Sequence, residues 1–114
     1  MAAMDLFGRR WALRILWELR AGPLGARALL ARCEGLSSSV LYQRLRELTS
    51  RGIIAPSADG YELTQLGVAL GHALRPLDEW ATIWAEAEAE AEAEAEAEAE
   101  AQAQAQDGQA EQAD

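Results

Sequence analysis

Polar side chains that can hydrogen-bond to nucleic acid recur at helical spacing in the middle of the chain. They are two hydroxyl groups, a phenol, an amide and a guanidinium, carried by Ser38, Ser39, Tyr42, Gln43 and Arg46. In the DNA major groove an amide can pair with adenine and a guanidinium with guanine, while hydroxyl groups suit phosphate oxygens. This set therefore predicts a DNA-reading surface. An ordinary solvated helix face is equally polar and is the alternative interpretation.

A serine-capped helix over residues 37–51 would position these side chains. Leu41, Leu45 and Leu48 follow the i, i+4, i+7 spacing of an apolar stripe that a small domain buries. Ser37 or Ser38 can accept a hydrogen bond from the free amides of the first turn. With the leucines turned inward, the polar set faces outward.

Positive charge is carried entirely by arginine and lies in the first three quarters of the chain. Residues 1–85 hold all ten Arg against eight acids, whereas residues 86–114 hold eleven acids and no base. Guanidinium groups can form bidentate hydrogen bonds with phosphate. The exclusive use of arginine can also reflect a GC-rich coding sequence. We predict phosphate contacts for Arg27, Arg32 and Arg44.

Two further helices are predicted before the serine-capped one. Asp5 to Arg20 has apolar residues at helical spacing and ends at Ala21-Gly22-Pro23. Ala26–Cys33 forms a second, shorter stripe. A tight turn over residues 35–37 then leads into the capped helix, which gives a helix-turn-helix.

The pattern changes after Gly52. Ile53–Ala55 and Tyr61–Leu63 have strand character, and Pro56–Gly60 between them is rich in turn residues. They predict a two-stranded wing. The wing has no basic residue and offers only amides and Ser57 to phosphates.

Thr64 is the predicted N-cap of a last helix, which Arg75-Pro76 is expected to interrupt before an aromatic stripe resumes up to Trp84. Residues 85–101 are strict Ala-Glu alternation, followed by a Gln-rich end. The predicted organisation is a mainly α winged helix-turn-helix domain over residues 5–84 and a low-complexity acidic tail over residues 85–114. Like charges at i, i+4 along the tail predict a frayed helix or disorder.

Several function classes find no support in the composition. Cys33 is the single cysteine and His72 the single histidine, so we predict no disulfide, no metal site and no cofactor. No acid-base pair or phosphate-binding loop suggests an enzyme. No run of 18 apolar residues predicts a membrane span, and the N-terminus does not resemble a signal peptide, so we expect a cytoplasmic protein.

A family resemblance covers about residues 7–84. Its motifs are Gly8-Arg9-Arg10-Trp11, Gly22-Pro23, Leu45-Arg46-Glu47-Leu48, Gly52-Ile53-Ile54, Tyr61-Glu62-Leu63-Thr64 and Leu66-Gly67. As a set they resemble the HxlR-type winged helix-turn-helix regulators of bacterial transcription.

The resemblance implies a homodimer formed largely by the first and last helices, with two reading helices in successive major grooves. We expect dimer contacts from the large apolar residues Trp11, Trp17, Leu77, Trp80 and Trp84. Completion of the monomer core by these indoles is the alternative. The family pattern often has a cysteine before the first helix that serves sensing; Met1–Arg10 contains none, and we predict that Cys33 is buried and inert.

The expected function is sequence-specific binding of double-stranded DNA by a homodimeric transcriptional regulator. The alternative is a winged-helix protein-interaction module that binds DNA weakly or not at all. The sequence does not specify an effector, the operator, the sign of regulation or the genes controlled.

Overall fold

A computed structural model describes residues 2–113 of the chain. Within that range the chain forms five α-helices and one antiparallel sheet of two strands. In chain order the elements are α1 (Ala2–Phe7), α2 (Ala12–Glu18), α3 (Ala26–Arg32), α4 (Ser38–Ser50), β1 (Ile54–Ser57), β2 (Gly60–Leu63) and α5 (Gln65–Ala113). The chain divides into two compact units between Leu74 and Arg75.

The first predicted helix is two helices. Residues 8–11 separate α1 from α2, and Trp11 has φ 77° and ψ −11°, in the left-handed region that helices exclude. The Gly8 amide still donates to the Met4 carbonyl at 2.8 Å, and a new helix starts where the Ile15 amide donates to the Trp11 carbonyl at 3.0 Å. The prediction of an unbroken helix from Asp5 was wrong because the apolar spacing continues across this backbone reversal.

The core lies where α2, α3 and α4 meet. Leu41, Leu45 and Leu48 are each at most 1% exposed, which confirms the predicted stripe of the third helix. Ile15 and Leu29 meet them from the other two helices and are fully buried. This packing fixes which side of α4 faces outward.

The wing is confirmed and is longer than predicted. β1 pairs with β2 from Ile54↔Leu63 to Ser57↔Gly60, so only Ala58 and Asp59 form the loop. Leu24 adds an isolated antiparallel bridge to Tyr61, which fastens the wing to the segment before α3. Gly60 has φ 122°, and a Cβ at this position would lie 2.5 Å from the Gly25 amide nitrogen. Only glycine fits there.

The helix α5 begins at the predicted cap but does not end where expected. The Gly67 amide donates to Thr64 Oγ1 at 3.2 Å, which confirms the N-cap. Pro76 lies inside the helix, so the predicted interruption at Arg75-Pro76 was wrong. Proline costs a helix a hydrogen bond, and here the flanking helix forms in spite of that cost. Nor does an element boundary fall at the predicted domain limit of residue 84, because α5 runs on through the Ala-Glu repeat.

Among the described residues, no helix is long and apolar enough to cross a membrane.

Candidate nucleic-acid interface

The helix α4 is set up by a side-chain cap. Ser37 is extended, with φ −80° and ψ 154°, and its hydroxyl oxygen accepts a hydrogen bond from the Val40 amide at 3.3 Å. This bond satisfies one of the amides that the first helical turn leaves free. Ser37 also lies within 3.3 Å of the Ser39 hydroxyl. The predicted serine-capped helix is therefore present, with Ser37 as its cap.

One face of α4 presents the predicted polar set to solvent. All five members are exposed: Ser38, Ser39, Tyr42, Gln43 and Arg46. Within the described part of the chain, the side chains of Tyr42, Gln43 and Arg46 have no hydrogen-bond or ion-pair partner. An amide, a phenol and a guanidinium are thus free to bind an external partner. Their outward direction follows from the burial of the leucines on the opposite side.

Arg44 does not have the free guanidinium that the sequence suggested. Its side chain is only 11% exposed, and its Nη1 lies 3.2 Å from the Glu47 carboxylate. Its Nε donates to the Arg10 carbonyl at 2.8 Å. The predicted phosphate contact by Arg44 is therefore replaced by a structural role. Arg44 ties the segment between α1 and α2 to α4.

The other two predicted phosphate contacts lie on α3. Arg27 is exposed and has no ion-pair partner among the described residues. Arg32 lies 3.6 Å from the Glu18 carboxylate but keeps 53% of its side chain exposed. Glu18 keeps a closer partner in Arg14, at 2.9 Å, so the exposed Arg32 guanidinium can turn to a phosphate.

The wing not only lacks a basic residue but also carries negative charge. Asp59 is exposed in the loop and Glu62 is exposed on β2. Ser57 Oγ, the expected hydroxyl contact, accepts a hydrogen bond from the Asp59 amide at 3.3 Å. Both acids were visible in the sequence, where residues 52–71 contain two carboxylates and no basic residue. This wing would repel phosphates.

The predicted dimer residues of the first unit differ in exposure. Trp11 is half-buried and packs against the core, so it serves the monomer, as the alternative interpretation held. Trp17 is 45% exposed, and the Arg20 guanidinium lies 3.7 Å from its ring centroid. The stacked Trp17 and Arg20 side chains therefore remain accessible to a partner surface.

In the second unit, the predicted dimer residues form an exposed stripe along α5. Leu77, Trp80 and Trp84 are 50%, 54% and 53% exposed. The two indole rings stack with centroids 5.7 Å apart and an interplanar angle of 16°. About half of each of these side chains is exposed, and an apolar stripe of this size is typical of an interaction surface.

Cys33 is fully buried, as predicted. Burial raises the pKa of its thiol, although the nearby Arg14 partly opposes the effect. A raised pKa disfavours the reactive thiolate.

Comparison with known proteins identifies the family. The model of the HxlR-like helix-turn-helix family matches residues 6–89. The HTH-type transcriptional regulator YvaP of Bacillus subtilis is 32% identical over 91 residues, which cover 74% of this chain and 84% of the relative.

Solved structures of transcriptional regulators share the fold. The quinone-bound YodB of B. subtilis has a TM-score of 0.67 and 30% identity, covering 71% of this chain and 92% of that one. A MarR family transcriptional regulator of Enterococcus faecalis has a TM-score of 0.67 and 28% identity, covering 77% and 86% of the two chains. With the capped helix α4 and the wing, the family-model match and the YvaP relative show that the chain belongs to the HxlR-like helix-turn-helix family of transcriptional regulators.

Proposed function

We propose that the chain binds double-stranded DNA sequence-specifically as a homodimer, with α4 in the major groove. The observation that carries this proposal is the outward face of α4. Tyr42, Gln43 and Arg46 are exposed and unpaired within the described residues, on a helix whose opposite side is fixed by three buried leucines. A helix of this kind, presented by a helix-turn-helix, can enter the major groove.

The side chains divide into base readers and phosphate contacts. Gln43 can bond to the N6 and N7 edge of adenine, and Arg46 can bond to O6 and N7 of guanine. Hydroxyl groups and exposed guanidinium groups suit the phosphates beside the groove. We assign that second role to Ser38, Ser39, Tyr42, Arg27 and Arg32.

A homodimer supplies the second reading helix. Dimeric helix-turn-helix proteins read two half-sites about one turn of DNA apart. The exposed stripe of Leu77, Trp80 and Trp84 supports dimerisation. Burial of large, half-exposed apolar side chains against a partner surface contributes strongly to the free energy of association. The quinone bound to YodB supports regulation of this chain by a small molecule as well.

A protein-interaction module is the second candidate, and the acidic wing is the observation that favours it. Asp59 and Glu62 are exposed where a DNA-binding wing normally meets the backbone. A winged helix that had lost DNA binding would tolerate such acids and would keep its apolar stripe for a partner.

Fluorescence anisotropy distinguishes the two candidates. A labelled duplex carrying the promoter nearest the gene of this protein is titrated with the full chain at several salt concentrations, beside a random duplex of equal length. Specific binding should favour the promoter by roughly 1,000-fold or more, with an affinity that falls as salt rises. Equal affinity for both duplexes would reject the DNA-reading function and favour the interaction module.

Removal of the wing charges should strengthen DNA binding. A unit charge about 8 Å from a phosphate costs roughly 0.5 kcal/mol in water, so Asp59→Asn with Glu62→Gln should raise affinity by about two- to fivefold at low salt. The gain should shrink as salt screens the repulsion. The control is Asp78→Asn with Glu79→Gln, which makes the same charge change on α5. An equal gain for both pairs would indicate a general charge effect and not a wing close to DNA.

Acidic substitutions on the apolar stripe should dissociate the dimer. Trp80→Glu would bury a charge in the interface and remove an aromatic contact of the hot-spot type, which costs at least about 2 kcal/mol, or roughly 30-fold in the dimer Kd. Sedimentation velocity over a concentration series measures the change. The control is Thr82→Glu, an exposed position on the opposite side of the same helix. A dimer that survives Trp80→Glu unchanged would place the interface elsewhere.

A further inference from the structure

A cleft of about 340 Å³ opens beside the break between α1 and α2. The residues that line it include three arginines, Arg9, Arg10 and Arg14, and three apolar residues, Phe7, Trp11 and Leu13. No carboxylate is among these lining residues. The volume is in the range of sites for small organic molecules.

The charges in this cleft are incompletely neutralised. Arg14 pairs with Glu18 at 2.9 Å, whereas Arg9 and Arg10 have no carboxylate partner among the described residues. The Arg10 guanidinium lies 5.5 Å from the centroid of the Trp11 ring. An occupant that matches this lining has a negative group for the arginines and a flat apolar body for the aromatic rings.

The backbone at the cleft is in an unusual conformation. Trp11 is the single non-glycine residue with positive φ in the part of the chain that the structure describes. Its ring nevertheless packs against the core, so the surrounding structure holds it there. Residues kept in such conformations concentrate at ligand sites and switches, where a second backbone state is within reach.

A direct hydrogen bond joins the cleft to the reading helix. Arg44, on α4, donates from Nε to the carbonyl of Arg10 at 2.8 Å, and its Nη1 contacts both oxygens of Glu47 at 3.3 and 3.2 Å. Arg44 lies between Gln43 and Arg46 in the sequence of α4. A displacement of the Arg10 carbonyl therefore acts on the helix that carries the base-reading side chains.

We infer that this cleft binds a small aromatic carboxylate and that Arg44 couples its occupation to DNA binding. The ligand's carboxylate contacts Arg9 and Arg10, and its ring system lies against Phe7 and Trp11. Binding shifts the strained backbone at Trp11, and Arg44 transmits the change to α4. The coupling rests on the proposed DNA-binding function, whereas ligand binding does not.

The probe is 1-naphthoate, a flat two-ring carboxylate, and its neutral amide 1-naphthamide is the matched control. Isothermal titration calorimetry on the full chain should show naphthoate binding at least tenfold more tightly than the amide. The double variant Arg9→Gln, Arg10→Gln should weaken naphthoate binding at least tenfold. The charge-matched variant Arg20→Gln, Arg75→Gln, outside the cleft, should change it less than twofold. Equal binding of the two probes, or an unaffected double variant, would overturn the proposal.

Anisotropy with the promoter duplex tests the coupling. Saturating naphthoate should change DNA affinity at least fivefold, in line with ordinary allosteric coupling. Arg44→Gln should retain naphthoate binding and reduce that change to less than twofold. Arg44→Lys is the second variant, because it keeps the charge but cannot hold both the Arg10 carbonyl and the Glu47 carboxylate with one planar group. Full coupling in both variants would overturn the role of Arg44.

The outcomes separate the two proposals. A chain that binds naphthoate with the expected charge dependence but does not distinguish promoter from random DNA would refute the proposed function and leave the ligand site standing. A chain in which the Arg9 and Arg10 variants weaken DNA binding, while naphthoate does not bind, would assign these arginines to phosphates and overturn the ligand site.

Discussion

Replacement of Gly67 by alanine is expected to lower the free energy of unfolding by about 3 kcal/mol, the upper end of the usual cost of overpacking. Gly67 is buried in the first turns of α5. A Cβ there would overlap the backbone carbonyl oxygen of Ile53 and lie 3.2 Å from Cβ and Cδ2 of Leu63. The Ile53 carbonyl cannot easily retreat, because it accepts a hydrogen bond from the Thr64 amide at 3.0 Å.

Gly71 provides the matched control on the same helix. A Cβ at Gly71 would meet nothing within 4 Å, and the residue is exposed. Gly71→Ala should therefore stabilise the protein by up to about 1 kcal/mol, the difference in helix propensity. Urea unfolding followed by tryptophan fluorescence measures both variants. If Gly67→Ala were as stable as Gly71→Ala, the close approach of α5 to the backbone of Ile53 would be wrong.

The elements that present the polar face of α4 could be predicted because their signals are local. The spacing of Leu41, Leu45 and Leu48 sets the inward side of α4, and the serines before it supply the cap. The turn residues between Ile54 and Leu63 indicated a hairpin. In each case a few neighbouring residues determine the conformation. Tertiary contacts then reinforce it.

Other features depend on contacts between residues far apart in the chain. Trp11 keeps its left-handed backbone because its ring packs on the core. The spacing of apolar residues along the sequence does not indicate this backbone conformation. Arg44 looked free because its partner is the carbonyl of Arg10, 34 residues earlier. The helical path through Pro76 also escaped prediction, because the missing amide of proline usually marks a helix end. Sequence patterns identified which residues are polar, and the fold decides which of them are free.

Loss of the two side chains that we propose to read bases should abolish specific DNA recognition. A good bidentate contact with a base contributes roughly 1–3 kcal/mol of discrimination, so Gln43→Ala with Arg46→Ala should reduce promoter affinity by about 2–6 kcal/mol, nearly to that of random DNA. The physical basis is that both side chains are exposed on α4 and have no partner within the described residues. Anisotropy with the promoter duplex and the random duplex gives the ratio of affinities.

A conservative change at Arg46 separates base reading from charge. Arg46→Lys keeps the positive charge but loses the planar fork that contacts guanine in two places. If Arg46 reads a base, Arg46→Lys should lose most of the preference for promoter over random DNA while the dependence of affinity on salt stays nearly constant. If Arg46 contacts only phosphate, the lysine variant should keep the preference, and Arg46→Ala should weaken binding to both duplexes equally. Arg75→Gln, a charge loss outside α4, should leave the preference unchanged. A result typical of a phosphate contact at Arg46 would assign base reading to Gln43 and its neighbours. Exposure makes a guanidinium available for binding but does not determine whether it binds a base or a phosphate.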